Sequence, residues 1–241
     1  MSSSEQTVVV GIVGPTCSGK SAVAEALWLE AREQVIVLPH DDYYLDRTGL
    51  SNSALAEIDF DHPSALDLAL LTQHVRQLRA GSPVQKPVYS RHSHRRLTGQ
   101  IVTPRPIIVV EGLFLFGWPE LVREFDLKVF IDQSKETIVK RRLQRDTFDY
   151  GRNPVEVAAN FHERIWPGYL RHIEPTRDLA DIVIAGKFDV LAAARKVLVQ
   201  ARALLKQSSS PATTPELAPA TPEWDLGVGT GGLVNSAPTD G

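Results

Sequence analysis

The sequence predicts an α/β fold in which a parallel sheet carries helices on both faces. Short apolar runs without polar alternation, Val8 to Val13 and Ile107 to Val110 above all, have the pattern of strands buried on both sides. Longer stretches between such runs place apolar residues at helical spacing. The two patterns alternate along the chain, the order that a parallel sheet with crossover helices requires.

Val8, Val9, Val10, Ile12 and Val13 form the first strand, which Gly14 ends. From Lys20 to Arg32, the residues Val23, Leu27 and Ala31 mark one helical face. Val35 to Leu38 is a second buried strand, followed by the acidic and aromatic cluster His40, Asp41, Asp42, Tyr43 and Tyr44. His62 to Arg79 reads as a helix, with Pro63 near its first turn and Gly81 just past its end. Pro83 to Arg105, with its prolines and a basic cluster, reads as irregular. Ile107 to Val110 is a strand that ends at Glu111-Gly112, and Leu127 to Ile131 is another. A basic helix runs from about Lys135 to Arg145, then a loop from Phe148 to Pro154 precedes a further helix. Ile182 to Ala185 is the fifth strand and Val190 to Leu205 a final amphipathic helix. Residues 1–206 thus read as one domain. Residues 207–241, mostly Pro, Gly, Ser and Thr, read as a disordered acidic tail in which Trp224 and Leu226 are the notable apolar pair.

At 241 residues and 43% hydrophobic content, the chain can bury one sizeable core. A net charge of -3 gives no reason to expect nucleic acid or an anionic membrane as partner. Glu216, Glu223, Asp225 and Asp240 lie after the last basic residue, Lys206, so the body is close to neutral. A single cysteine, Cys17, cannot form an internal disulfide, and the N-terminus lacks a basic then apolar leader pattern. No run of about 18 apolar residues is present to span a bilayer. A cytoplasmic location is therefore expected.

The segment GPTCSGKS, Gly14 to Ser21, fits the pattern G-x-x-x-x-G-K-[ST]. Each part has a physical reason. Glycines let backbone N–H groups curl around phosphates, the lysine neutralises charge and the hydroxyl holds Mg²⁺. The pattern also lies between a strand and a helix, so the helix N-terminus faces the anion. Gly14, Pro15, Thr16, Cys17, Ser18, Gly19, Lys20 and Ser21 are thus the candidate nucleotide-binding loop of a P-loop nucleoside-triphosphate hydrolase-type sheet. Cys17 reads as a small filler that an alkylating reagent could reach. The loop alone leaves kinases, GTPases and motor ATPases open. No N-K-x-D guanine-reading segment occurs, and the relevant buried strand ends at Glu111-Gly112 instead of Asp or Asp-Glu. Both features favour a kinase.

Beyond the loop, the chain resembles the uridine kinase family, within the wider group that includes phosphoribulokinase and pantothenate kinase. The resemblance runs from about Val8 to Lys187 and is carried by GPTCSGKS, HDDYY at His40 to Tyr44, FDHPSALD at Phe60 to Asp67 and PVYS at Pro87 to Ser90 with His94 and Arg96. It continues through IIVVEG at Ile107 to Gly112, VFID at Val129 to Asp132, RRLQRD at Arg141 to Asp146, Gly151-Arg152 and IEPTRDLADIVI at Ile173 to Ile184. Each later piece is weak alone, but their collinear order is specific.

The resemblance implies transfer of the ATP γ-phosphoryl group, with GTP left open, to the 5′-hydroxyl of uridine or cytidine, and a helical lid over the site. It implies Asp41 as the base that orients the attacking hydroxyl, unless Asp41 is a turn or cap residue. Glu111 and Ser21 would hold Mg²⁺. Lys20 and Arg145 would stabilise the transferring phosphoryl group, with Arg145 and Arg152 matching lid positions. Arg142 stands equally for the nucleotide or for a solvated face, and Arg141 reads as solvated. Tyr44, Asp61, Tyr89, His94, Arg96, Arg145 and Asn160 match positions that contact the acceptor; His62 reads equally as a helix-start residue. The expected partner is a small-molecule acceptor, a nucleoside or similar, and a homo-oligomer stays open.

Four positions depart from the family pattern. Arg91 stands where an aromatic or aliphatic residue is usual, Tyr150 where a lid arginine is common, Asn160 in place of a glutamine and Asp42 in place of a serine. They leave the ATP half intact and bear on the acceptor, which a phosphoribulokinase-like or pantothenate-like molecule could replace. Arg91 is expected to point into solvent, since a buried unpaired arginine is rarely tolerated. A non-catalytic nucleotide-binding regulator is the alternative from another class, and the retained Asp41 and Glu111 speak against it.

Overall fold

A computed structural model of the chain describes residues 6–208. Seven strands are present among them: β1 (Val8–Val13), β2 (Val35–Pro39), β3 (Val84–Ser90), β4 (Arg95–Val102), β5 (Ile107–Gly112), β6 (Leu127–Asp132) and β7 (Ile182–Ala185). The helices are α1 (Lys20–Glu30), α2 (Asn52–Ala56), α3 (Leu68–Arg79), α4 (Pro119–Val122), α5 (Lys135–Phe148), α6 (Pro154–Asn160), α7 (Trp166–His172) and α8 (Val190–Ser208).

Five strands make the main sheet in the order β2-β5-β1-β6-β7, and every pairing in it is parallel. β1 and β5 are buried along their whole length, as their unbroken apolar runs require. Their side chains alternate between two cores. Val8, Val10 and Ile12 pack with Val23 and Leu27 of α1 and with Ala194, Val197 and Leu198 of α8. Val9 and Val13 pack on the other face with Leu71, Val75 and Leu78 of α3 and with Phe116 and Phe125. Gly11 lies between them because a Cβ there would come within 2.9 Å of both Phe116 and Phe125. The α/β sheet with helices on both faces is thus as expected.

Four local expectations change. The stretch read as irregular after Pro83 is an antiparallel hairpin, β3 with β4, whose register slips between Lys86 and Val88 around Pro87. The helix expected from His62 starts at Leu68: His62 and Pro63 open a separate 3-10 turn, and Asp67 caps α3 through the Leu70 N–H at 3.0 Å. α5 continues three residues beyond Arg145. No described helix is long and apolar enough to cross a membrane. Residues 207 and 208, read as the start of the tail, belong to α8, and the rest of the tail reading falls on residues 209–241, outside those described.

The order of the sheet determines where a ligand can gather. β1 is central, and the chain leaves it toward β2 on one side while β6 lies on the other. The loops after β1, β2 and β5 therefore meet at the carboxyl edge of the sheet, the usual crevice of open parallel sheets.

Candidate active site

Gly14 follows β1 and passes so close to the Ile131 carbonyl of β6 that any side chain at position 14 would overlap it. Gly19, with φ of 105°, caps α1 in a left-handed conformation. Cys17 also lies in the left-handed region, φ 56°, which is strained for a residue with a Cβ. Arg141 of α5 steadies this turn by donating to the Cys17 carbonyl at 3.1 Å and the Ser18 carbonyl at 3.3 Å. Arg141 is exposed, as its solvated reading expects, and in addition holds this loop; its partners lie over 120 residues away, beyond any local pattern.

Ser21, at the start of α1, donates its hydroxyl to Glu111 Oε1 at 3.1 Å. Glu111 is buried, and burial raises its pKa above the ordinary carboxylate range. Lys20 counters this, Asp41 adds to it, and the Ser21 hydrogen bond and Arg91 favour the charged form. Among the described residues no cluster of three or more His, Cys, Asp or Glu forms a protein-only metal cage. One carboxylate beside a hydroxyl at the phosphate loop is nonetheless the donor set that suits Mg²⁺, which keeps waters and takes further oxygens from phosphates.

A 3-10 turn, His40–Tyr43, carries the acidic pair off the end of β2. His40 is buried and its Nε2 lies 3.6 Å from Asp41 Oδ1. Burial pushes the His40 pKa down to about 4, against the pull of Asp41 and with Lys20 and Arg91 assisting, so the ring is neutral at pH 7. For Asp41, burial disfavours the charge, but His40, Arg91 and Lys20 together hold its pKa below the ordinary range. With His40 neutral, Arg91 and Lys20 supply that effect at physiological pH. Asp42 points elsewhere and pairs with the buried Lys86 of β3.

Arg91 does not project freely into solvent. Its Nη2 donates to Asp41 Oδ2, while its side chain stays 51% exposed. The expected cost of an unpaired guanidinium is thereby avoided, because its partner is the candidate base itself.

On the acceptor side, Phe60 and His94 stack with ring centroids 4.6 Å apart, and Tyr44 and Tyr89 lie 5.1 Å apart. Tyr89 reaches His94 Nδ1 at 3.5 Å. A cleft of about 510 Å³, lined in part by Arg47, Leu50, His92 and His94, opens beside them. Arg96 is turned toward protein: it donates to the Tyr44 carbonyl at 2.9 Å, the Tyr43 carbonyl at 3.2 Å and Asp67 at 3.2 Å. Its place is to hold the chain that follows Asp41.

The helical lid meets the phosphate loop through Arg142, which donates to Thr16 Oγ1 at 3.2 Å and reaches Asp61 at 3.5 Å. The buried Asp146 gathers Arg142, Arg145 and Arg152 at 3.4, 2.9 and 3.3 Å. Tyr150 lies between the last two, 5.6 Å from each guanidinium. Below, Ile138, Phe161 and Ile165 form a separate apolar cluster that packs α5 on the turn after Asn160. A cavity of about 20 Å³ under the lid, touching Pro15, Thr16 and Asp61, has room for roughly one water.

A sequence model described as the phosphoribulokinase / uridine kinase family matches residues 9–192. The chain belongs to that family. A uridine kinase of Klebsiella pneumoniae subsp. pneumoniae is 38% identical over 187 residues, covering 75% of this chain and 88% of that protein. One of Salmonella paratyphi B is 37% identical with the same coverage. Among solved structures, phosphoribulokinase from Rhodobacter spheroides has a TM-score of 0.57 at 13% identity, over 78% of this chain and 73% of that one. D-glycerate 3-kinase from Cryptococcus neoformans gives 0.52 at 17% identity, over 71% and 80%. These two likenesses bear on the fold alone.

The chain is accordingly a P-loop kinase, a phosphotransferase acting on an alcohol, and its family implies ATP binding. For this kinase the structure gathers Lys20, Ser21, Asp41 and Glu111 at one edge of the sheet, with Tyr44, Tyr89 and His94 beside it and Asp61 under the lid. Arg145 and Arg152 stand at Asp146, and Asn160 closes α6. Sequence reasoning gave no role to His40, Lys86 or Asp146. The signal for His40 was present, in a histidine directly before the acidic pair; the partners of Lys86 and Asp146 come only from the fold.

Proposed function

We propose that this kinase transfers the γ-phosphoryl group of ATP to the 5′-hydroxyl of uridine or cytidine, a step of pyrimidine salvage in the cytoplasm. The observation that carries the reading is Asp41: a charged carboxylate on the turn after β2, in the field of Arg91 and Lys20 and close enough to Tyr44 for its charge to be felt there. Phosphoryl transfer depends mainly on positioning and electrostatics, and each group contributes in that way. Asp41 orients the hydroxyl and takes its proton. Lys20 and the α1 N-terminus hold the nucleotide phosphates. Ser21 and Glu111 would hold Mg²⁺, which would supply positive charge against the nucleotide phosphates. Tyr89, His94 and Phe60 offer a stacking face and a polar edge suited to a pyrimidine and its ribose. The relatives named uridine kinase support the same acceptor.

One observation favours a second reading. Arg91 brings a cation to the acceptor side, which would suit an anionic or carbonyl-bearing molecule, as in a phosphoribulokinase-like enzyme. A coupled ADP-release assay across uridine, cytidine, ribulose 5-phosphate and pantothenate, with ATP and with GTP, decides between them. The nucleoside reading expects uridine or cytidine to give the highest kcat/KM. A clear preference for either other acceptor overturns it.

A further inference from the structure

Arg91 belongs to the turn between β3 and β4, yet its guanidinium crosses to the catalytic edge of the main sheet and bonds Asp41 Oδ2. The other carboxylate oxygen, Oδ1, faces His40. Both oxygens of the proposed base therefore have a neighbour before any acceptor arrives. An attacking hydroxyl needs one of them at hydrogen-bond distance, about 2.6–3.2 Å. His40 is buried, and a Cβ at Gly112 would overlap its ring, so it is wedged in place. Arg91 is half exposed and sits on a hairpin turn, so it is the neighbour that can yield.

The same geometry says where a displaced guanidinium would go. Phosphorus lies roughly 3–3.5 Å beyond the attacking oxygen in a reactive arrangement. The transferring phosphoryl oxygens thus come within about 6 Å of the Asp41 carboxylate, where the Arg91 guanidinium already stands. Lys20 approaches this point from the phosphate loop. His40, Asp41 and Glu111 each feel the charges of both Lys20 and Arg91, which locates the two cations around one centre. The lid offers less. Arg142, Arg145 and Arg152 share the buried Asp146, Arg141 is spent on loop carbonyls, and Tyr150 brings no charge.

We propose that Arg91 is a catalytic arginine of the transfer step: it pairs with Asp41 before nucleotide and acceptor bind and turns onto the transferring phosphoryl group once they are bound. The inference rests on the reading of Asp41 as the base. In the step, a bond forms between the acceptor oxygen and the γ-phosphorus while the bond from γ-phosphorus to the β,γ-bridging oxygen breaks. The leaving oxygen departs with ADP, and the hydroxyl proton passes to Asp41. Arg91 places positive charge beside the negatively charged equatorial oxygens, and stays bound to the new phosphate monoester until release.

The test compares wild type, Arg91→Ala and Arg91→Lys as full chains, with melting temperature as a folding control. Steady-state kinetics would be measured with whichever acceptor wild type turns over best. The expected result is a fall of roughly 100-fold in kcat for Arg91→Ala, with acceptor KM changed less than about threefold. Arg91→Lys should recover part of it. Added ethylguanidinium should restore Arg91→Ala saturably and leave wild type unaffected. Undiminished or increased kcat in a folded Arg91→Ala overturns the proposal. So does a loss confined to acceptor KM, which would make Arg91 a reader of the acceptor, or a complete failure of chemical rescue. The underlying reading fails separately, if folded Asp41→Asn turns over like wild type.

Discussion

The His40 ring fills the space that a side chain on Gly112 would need: a Cβ built at position 112 overlaps the imidazole. The end of β5 is thereby fitted to the turn after β2, and Asp41 follows directly on a ring that cannot move. Gly112→Ala should displace His40 and the turn behind it. Overpacking of this kind costs about 1–3 kcal/mol, so the melting temperature should fall. Turnover measured below the new transition should fall as well, because Asp41 moves with His40. A variant of wild-type stability and activity would show that the ring is not wedged.

Neutral His40 also predicts a pH dependence of stability. Its pKa is lowered from 6.5 to about 4 in the fold, so the unfolded chain takes up its proton first as pH falls. The associated stability is complete above pH 6.5 and is lost progressively as pH drops toward 4, by up to about 3 kcal/mol. Urea unfolding at pH 7.5, 6 and 5 should show this loss in wild type and a shallower loss in His40→Gln. Equal slopes in the two proteins would contradict it.

The adjacent acids should fail in different ways. Asp42 pairs with Lys86, which is 6% exposed, and removing one partner of such a pair leaves a buried charge without compensation. Asp42→Asn should therefore lose roughly 2–4 kcal/mol of stability while keeping its turnover per folded molecule. Lys86→Met, which removes the charge and keeps the volume, should be milder than Asp42→Asn. An inactive but fully stable Asp42→Asn would exchange the roles of the two acids.

Much of this was legible in the sequence because it depends on local pattern. β1 and β5 are unbroken apolar runs, and the glycine-rich turn between β1 and α1 has a backbone that only certain residues permit. The hairpin was not legible: β4 is largely exposed and polar, so it lacks the alternation of a half-buried strand, and Pro87 interrupts β3. The start of α3 was misplaced because His62 and Pro63 carry the marks of a helix start and open only a short turn. At the site, Lys20, Ser21, Asp41 and Glu111 each stand at a strand end or helix start, where position alone suggests a role. Arg91 with Asp41, Arg141 with the Cys17 carbonyl and Asp42 with Lys86 join residues 44 to 124 positions apart. Which charge meets which is decided by the fold.

Cys17 lies partly exposed in the phosphate loop with φ of 56°. Alkylation by iodoacetamide should block turnover by filling the space of the nucleotide phosphates, and saturating ATP should protect. Cys17→Gly, which adopts the left-handed conformation without strain, should stay active and resist the reagent. Inactivation of Cys17→Gly at the wild-type rate would place the sensitive group elsewhere.

Asp41 is proposed to serve the chemical step at a site built by the phosphate loop. The most direct test is ADP release with uridine in wild type and Asp41→Asn, alongside the ATP dissociation constant of each. Asp41→Asn should remain folded, bind ATP as wild type does and lose at least about 100-fold in kcat, the usual scale for a positioned base. A folded Asp41→Asn whose kcat matches wild type would contradict the account.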